Sequence, residues 1–115
     1  MRILRANHLG MCFGVRNAIR LALDQARSRP LPVLGDLVHN ETVLGLLRSH
    51  GIRTVRLGEA VATSAVMVTA HGASNRAKAA LQARGLNVIE ATCPLVRHAH
   101  LAILALAREG YHPVI

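Results

Sequence analysis

The sequence predicts an α/β fold, a parallel β-sheet flanked by helices, on three observations. Apolar runs of strand length alternate with stretches of helical periodicity, the pattern of βαβ units. Glycine or proline punctuates most of the helical stretches. Four residues of types that can bind metals or anions, Cys12, His39, His71 and Cys93, each fall between an apolar run and a helix-like one. In open α/β sheets that is where ligands bind, beyond the carboxyl ends of the strands and against helix N-termini.

Taken in order, residues 2–6 read as a first strand. Val15, Ala18, Ile19, Ala22, Leu23 and Ala26 follow at helical spacing until Ser28-Arg29-Pro30 stops them. Residues 31–34 begin a second strand. Residues 41–49 form a helix with Val43, Leu44 and Leu47 inward, closed by Gly51, which takes the left-handed conformation at little cost. Residues 52–56 are a weak strand or a connector, and residues 65–69 a stronger strand. Ser74 or Asn75 can cap a helix that runs to Arg84 before Gly85. Residues 86–90 make the next strand. Pro94 suits a first-turn helical position because its missing N–H is unneeded there, and an alanine- and leucine-rich helix runs from it to Glu109. Residues 111–115 start another strand, so the chain looks cut short, the alternative being a terminal edge strand of a small complete domain.

The 115 residues, 51% of them hydrophobic, suffice for one core and argue against disorder. Residues 1–115 read as a single α/β unit without repeats or low-complexity linkers. No apolar stretch approaches a membrane span and Met1 leads straight into a strand-like segment, so the expectation is a cytoplasmic protein without a membrane partner. Two cysteines in a reducing compartment point to free thiols or metal ligands before a disulfide. The net charge of +8 invites a nucleic-acid partner, but the 14 Lys and Arg residues are scattered and one Phe, one Tyr and no Trp leave almost no stacking surface. No nucleic acid is expected; a small anion or an acidic protein suits the charge better.

In Gly10-Met11-Cys12-Phe13-Gly14-Val15, two glycines flank a thiol at a predicted helix start, where the helix N-terminus favours the thiolate that binds metals. Ala91-Thr92-Cys93-Pro94 repeats the placement. Leu37-Val38-His39-Asn40 and Thr69-Ala70-His71-Gly72-Ala73-Ser74 each set an imidazole at a strand-to-helix turn, able to donate to phosphate oxygens beside helix amides. A buried structural cysteine and a solvated loop histidine are the ordinary alternatives for such residues. His50, His98 and His112 read as solvated, while His8 and His100 lie near enough to the cysteine loops to orient a ligand.

These four motifs, in this order across the whole chain, resemble those of the hydroxymethylbutenyl diphosphate reductase family. The resemblance implies a trefoil of three α/β units around a 4Fe-4S iron–sulfur cluster held by three cysteines, with this chain as the first part. Cys12 and Cys93 match two of those metal ligands, and His39 and His71 match histidines that bind the substrate diphosphate. The implied reaction is a two-electron, two-proton reductive dehydroxylation of an allylic diphosphate to isopentenyl and dimethylallyl diphosphate, the last step of the non-mevalonate isoprenoid pathway. A ferredoxin or flavodoxin would donate the electrons. Met11 stands where Phe is common in the family and Ala73 where Val is frequent, apolar exchanges that alter packing more than chemistry. The third cysteine and the later histidine, glutamate, serine and asparagine contacts have no counterpart before Ile115, so no catalytic residue is identified in this stretch and the fragment alone is expected to be inactive. Two other classes remain. A Cys2His2 zinc site has the right ligand types but lacks the usual close ligand pairs. A non-catalytic α/β ligand-binding domain lacks a Walker or dinucleotide loop.

Overall fold

The computed structural model describes residues 1–5, 7 and 10–114. Among these residues it holds four helices and four strands: α1 (Phe13–Ala26), β1 (Leu31–Leu34), α2 (Glu41–Ser49), β2 (Ile52–Val55), β3 (Ala65–Val68), α3 (Asn75–Ala83), β4 (Asn87–Ile89) and α4 (Pro94–Arg108). The strands form one sheet in the order β2-β1-β3-β4, with every pairing parallel. Gly51 and Gly85 follow α2 and α3 with positive φ, as the sequence anticipates, and Gly110 does the same after α4.

The winding reverses once. From β1 the chain steps outward through α2 to β2, returns across β1 to β3, and then steps outward the other way through α3 to β4. Right-handed crossovers in opposite directions put their helices on opposite faces of the sheet, and the packing agrees. Ala18 and Ala22 of α1, with Leu44 and Leu47 of α2, bury Leu31, Val33, Ile52 and Met67 on one face. Leu81 of α3 buries Val55 and Val66 on the other. Val66 and Met67 are adjacent and wholly buried on opposite faces, the period-2 alternation of a strand covered on both sides. The ends of β1 and β3 therefore lie side by side where the strand order reverses, which is where ligands bind in sheets of this kind.

Two expected strands are not formed over the described residues. Residues 2–5 carry no strand and Ile3 and Leu4 are about four-fifths exposed, while Ala6 lies outside the described residues. Residues 111–114 likewise carry no strand, and Ile115 lies outside. A strand exists only with a hydrogen-bonded partner, and the two sheet edges, β2 and β4, pair with neither segment. α4, the expected alanine- and leucine-rich helix, has no buried residue, and its Leu101, Ile103, Leu104 and Leu106 are exposed. No helix is long and apolar enough to cross a membrane among the described residues.

Candidate ligand site at the carboxyl edge of the sheet

His39 sits in the loop leaving β1, immediately before Asn40, whose side-chain oxygen accepts the Val43 N–H at 3.0 Å and caps α2. His71 sits in the turn leaving β3, closed by the Gly72 N–H donating to the Thr69 carbonyl at 2.9 Å. Gly72 has φ of +80°, and a Cβ there would fall 2.9 Å from Thr92 Oγ1, so both the turn and the close approach require glycine. Ser74 then caps α3 by accepting the Ala77 N–H at 3.1 Å. Because β1 and β3 are neighbours, the two imidazoles meet, with ring centroids 6.2 Å apart and planes inclined by 20°. Both are exposed, His39 one residue ahead of the Asn40 cap and His71 three ahead of the Ser74 cap, and the first-turn amides of these nine-residue helices are only partly consumed by the caps.

The cysteines continue the row. Cys93 is the N-cap residue of α4, 8% exposed, and its N–H donates to the Ala70 carbonyl at 2.8 Å, tying it to the residue before His71. Cys12 is the N-cap residue of α1 and is exposed. Neither cysteine makes a side-chain cap hydrogen bond. Gly14 links them: a Cβ on it would lie 2.7 Å from Cys93 Sγ and 2.9 Å from Cys93 Cβ. Two residues of chain span at most ~7 Å, so Cys12 belongs to the same edge. The strand expected just before Cys12 is not what places it there; the packing of α1 is. Glycine-to-alanine changes inside helices ordinarily stabilise by ~0.5–1 kcal/mol. Gly14→Ala is expected instead to destabilise by about 1–3 kcal/mol, because the overlap exceeds the entropic gain, and to change the alkylation rate of Cys93. Urea unfolding and thiol labelling check both.

Beside the His71 turn an open cleft of about 480 Å3 is bounded by Gly72, Lys78, Glu90, Thr92, Arg97 and His100. Lys78 Nζ donates to Glu90 Oε2 at 2.7 Å, and the Thr92 hydroxyl donates to Glu90 Oε1. Burial pushes the Glu90 carboxyl up, but hydrogen bonds from Lys78 and Thr92 and the lysine charge outweigh it, holding the group below its ordinary 4.5. A depressed carboxylate stabilises the fold above its unfolded-state pKa, and that contribution is lost as the pH falls through the folded value. The stability gap between wild type and Lys78→Met should thus be full at neutral pH and close in acid below 4.5, as urea midpoints against pH would report. The gap is small, since 44% of the Glu90 side chain is exposed and water screens the pair.

The structure thus brings His39, His71 and Cys93 to one edge, with Cys12 joined through Gly14. His100 lies close to Gly72, its Cε1 3.6 Å from where a Cβ would be; His50, His98 and His112 are exposed, and His8 lies outside the described residues. Among the described residues no three His, Cys, Asp or Glu side chains are grouped to hold a metal ion. Gly14, Lys78, Glu90 and Thr92 escaped the reading of the sequence as site residues. Gly14 and Thr92 stand inside the two cysteine motifs, and that adjacency was the only signal available.

The family model for LytB protein matches residues 3–115. This chain belongs to the LytB family. Among curated LytB-family relatives it is 34% identical over its full length to the 4-hydroxy-3-methylbut-2-enyl diphosphate reductase of Dehalococcoides mccartyi strain CBDB1, covering 41% of that protein. It is 36% identical over 98% of its length to the enzyme of the same name from Aquifex aeolicus, covering 40% of it. The chain therefore spans about two-fifths of the curated relatives it matches. A solved structure of (E)-4-hydroxy-3-methyl-but-2-enyl diphosphate reductase, described as the terminal enzyme of the non-mevalonate pathway, superposes on 95% of the chain with a TM-score of 0.77 and 37% identity, 40% of that structure being covered. The Plasmodium falciparum reductase superposes on 91% with a TM-score of 0.83 and 30% identity, 34% of it being covered. The parallel four-stranded sheet with flanking helices is the architecture these LytB-family structures share with it.

Proposed function

We propose that residues 1–115 are the amino-terminal α/β unit of a cytoplasmic iron–sulfur reductase that converts hydroxymethylbutenyl diphosphate to isopentenyl and dimethylallyl diphosphate. The observation that carries this reading is the row of His39, His71 and Cys93 on one sheet edge at the strand-order reversal. Relatives named 4-hydroxy-3-methylbut-2-enyl diphosphate reductase support the choice of substrate.

The donor set suits the cluster. Cys12 and Cys93 offer soft thiolates at two helix starts, neither engaged in capping, and glycine at position 14 leaves space for the Cys93 sulfur. The chain has two cysteines, so a third thiolate would come from elsewhere in the protein, in the trefoil of three units that the family resemblance implies. Such a cluster, when bound, would supply electrons one at a time and Lewis acidity toward an allylic hydroxyl. His39 and His71 donate their ring N–H groups to the diphosphate oxygens, and the amides opening α2 and α3 add to the attraction for the anion. Substrate is thereby held with its diphosphate over β1 and β3 and its allylic end toward Cys93. In the reaction the allylic C–O bond breaks, the hydroxyl leaves with a proton as water, and two electrons and a second proton form the new C–H bond. The electrons come from an acidic ferredoxin or flavodoxin, for which the net charge of +8 and the exposed Arg16 and Arg20 on α1 provide complementary attraction.

The test is anaerobic assay of the full-length protein with hydroxymethylbutenyl diphosphate and a low-potential reductant. Both isomeric products and stoichiometric iron are expected. An iron-loaded protein that leaves the substrate unchanged, or a colourless one carrying stoichiometric zinc, would refute the reading.

A further inference from the structure

Residues 90–93 grip the His71 turn from both sides. Before the histidine, the Ala70 carbonyl accepts the Cys93 N–H at 2.8 Å. After it, the Thr92 side chain lies against the Gly72 backbone, its Oγ1 2.9 Å and its Cγ2 3.1 Å from where a Cβ would stand. The Thr92 rotamer is in turn set by the hydroxyl donating to Glu90, and Glu90 is anchored to α3 by Lys78 at 2.7 Å. β-branching already restricts threonine about χ1, so one hydrogen bond suffices to select a single rotamer.

We propose that Thr92 is a positioning residue for anion binding: seated on Gly72, it fixes the His71 imidazole relative to Cys93 and His39, and the Lys78–Glu90 pair holds Thr92 in that seat. The inference rests on the reading of His71 as a diphosphate ligand. A threonine that served only to fill space would be replaced without loss by valine, its isostere. Thr92 as placed here would not, because valine keeps the volume and loses the hydroxyl that selects the rotamer.

The experiment is calorimetric titration of the full-length protein with inorganic pyrophosphate, with melting temperature followed in parallel. Thr92→Val is expected to raise the Kd roughly two- to tenfold, less than the worth of a hydrogen bond to a charged group because Thr92 acts through His71 and does not touch the anion, with little change in Tm because the Glu90 carboxylate is half exposed. Thr92→Ser, which retains the hydroxyl, is expected to return the Kd to the wild-type value. Lys78→Met should weaken binding in the same direction and add little to Thr92→Val, since both act through one contact; it carries the test alone if the valine variant does not fold. An unchanged Kd in Thr92→Val and Lys78→Met while His71→Ala weakens binding would overturn the positioning role and leave the diphosphate reading standing. A loss in the serine variant with none in the valine variant would overturn it too, by showing that the methyl fills space and the hydroxyl is irrelevant. If His71→Ala itself binds pyrophosphate normally, the diphosphate reading is what has failed, and the positioning role falls with it.

Discussion

Cys12→Ser and Cys93→Ser are each expected to abolish turnover in the full-length protein and to cut its iron content after anaerobic reconstitution. Serine is nearly isosteric with cysteine but does not replace a thiolate on iron, and a cluster held by three cysteines has none to spare. Both residues are N-caps whose side chains make no cap hydrogen bond, and serine is itself a favourable capping residue. The fold should therefore survive either change, with little shift in urea midpoint, so the loss belongs to the chemistry. Cys93 is buried against Gly14 whereas Cys12 is exposed, and Cys93→Ser is accordingly the change with more effect on local packing. Normal turnover with a full iron complement in either variant would remove that residue from the ligand set.

The second large effect is on substrate affinity. His39→Ala or His71→Ala is expected to weaken diphosphate binding by roughly ten- to a hundredfold, since a hydrogen bond to a charged group is worth about 1.5–3 kcal/mol. Iron content should stay unchanged. With centroids 6.2 Å apart, the two rings can address one diphosphate together, and the doubly substituted protein should therefore lose less than the sum of the two single losses. Pyrophosphate titration and KM measure the effect. Wild-type affinity in both single variants would show that the pair serves some other end.

The interior elements were legible in the sequence because their signals are local. Helix α2 occupies the predicted residues 41–49 between Asn40 and the glycine at 51, and β1 the predicted 31–34. The doubtful segment at 52–56 became β2 since Ile52 and Val55 could each bury against a different face beside β1. The terminal segments failed for the opposite reason: residues 2–5 and 111–114 have apolar content, but apolar content makes a strand only when a partner lies alongside. The same holds for α4, where alanine and leucine content predicts the helix and says nothing of what will cover it.

For the candidate site, the sequence by itself determined which groups are on offer: two thiols and two imidazoles, each between a strand-like run and a helix, in four motifs whose order resembles one reductase family. Residue type and position relative to a helix N-terminus are properties of a short stretch of chain. Only the tertiary structure decided that β1 and β3 are neighbours, which stacks His39 on His71. It alone brought Ala70, Gly72 and Gly14 against residues 92 and 93. Those meetings join residues some 20 to 80 positions apart, and they depend on which strand the chain crosses when its winding reverses. Parallel strands need long crossovers that carry no local mark of their destination, so that choice is made by packing of the two helical layers on the sheet.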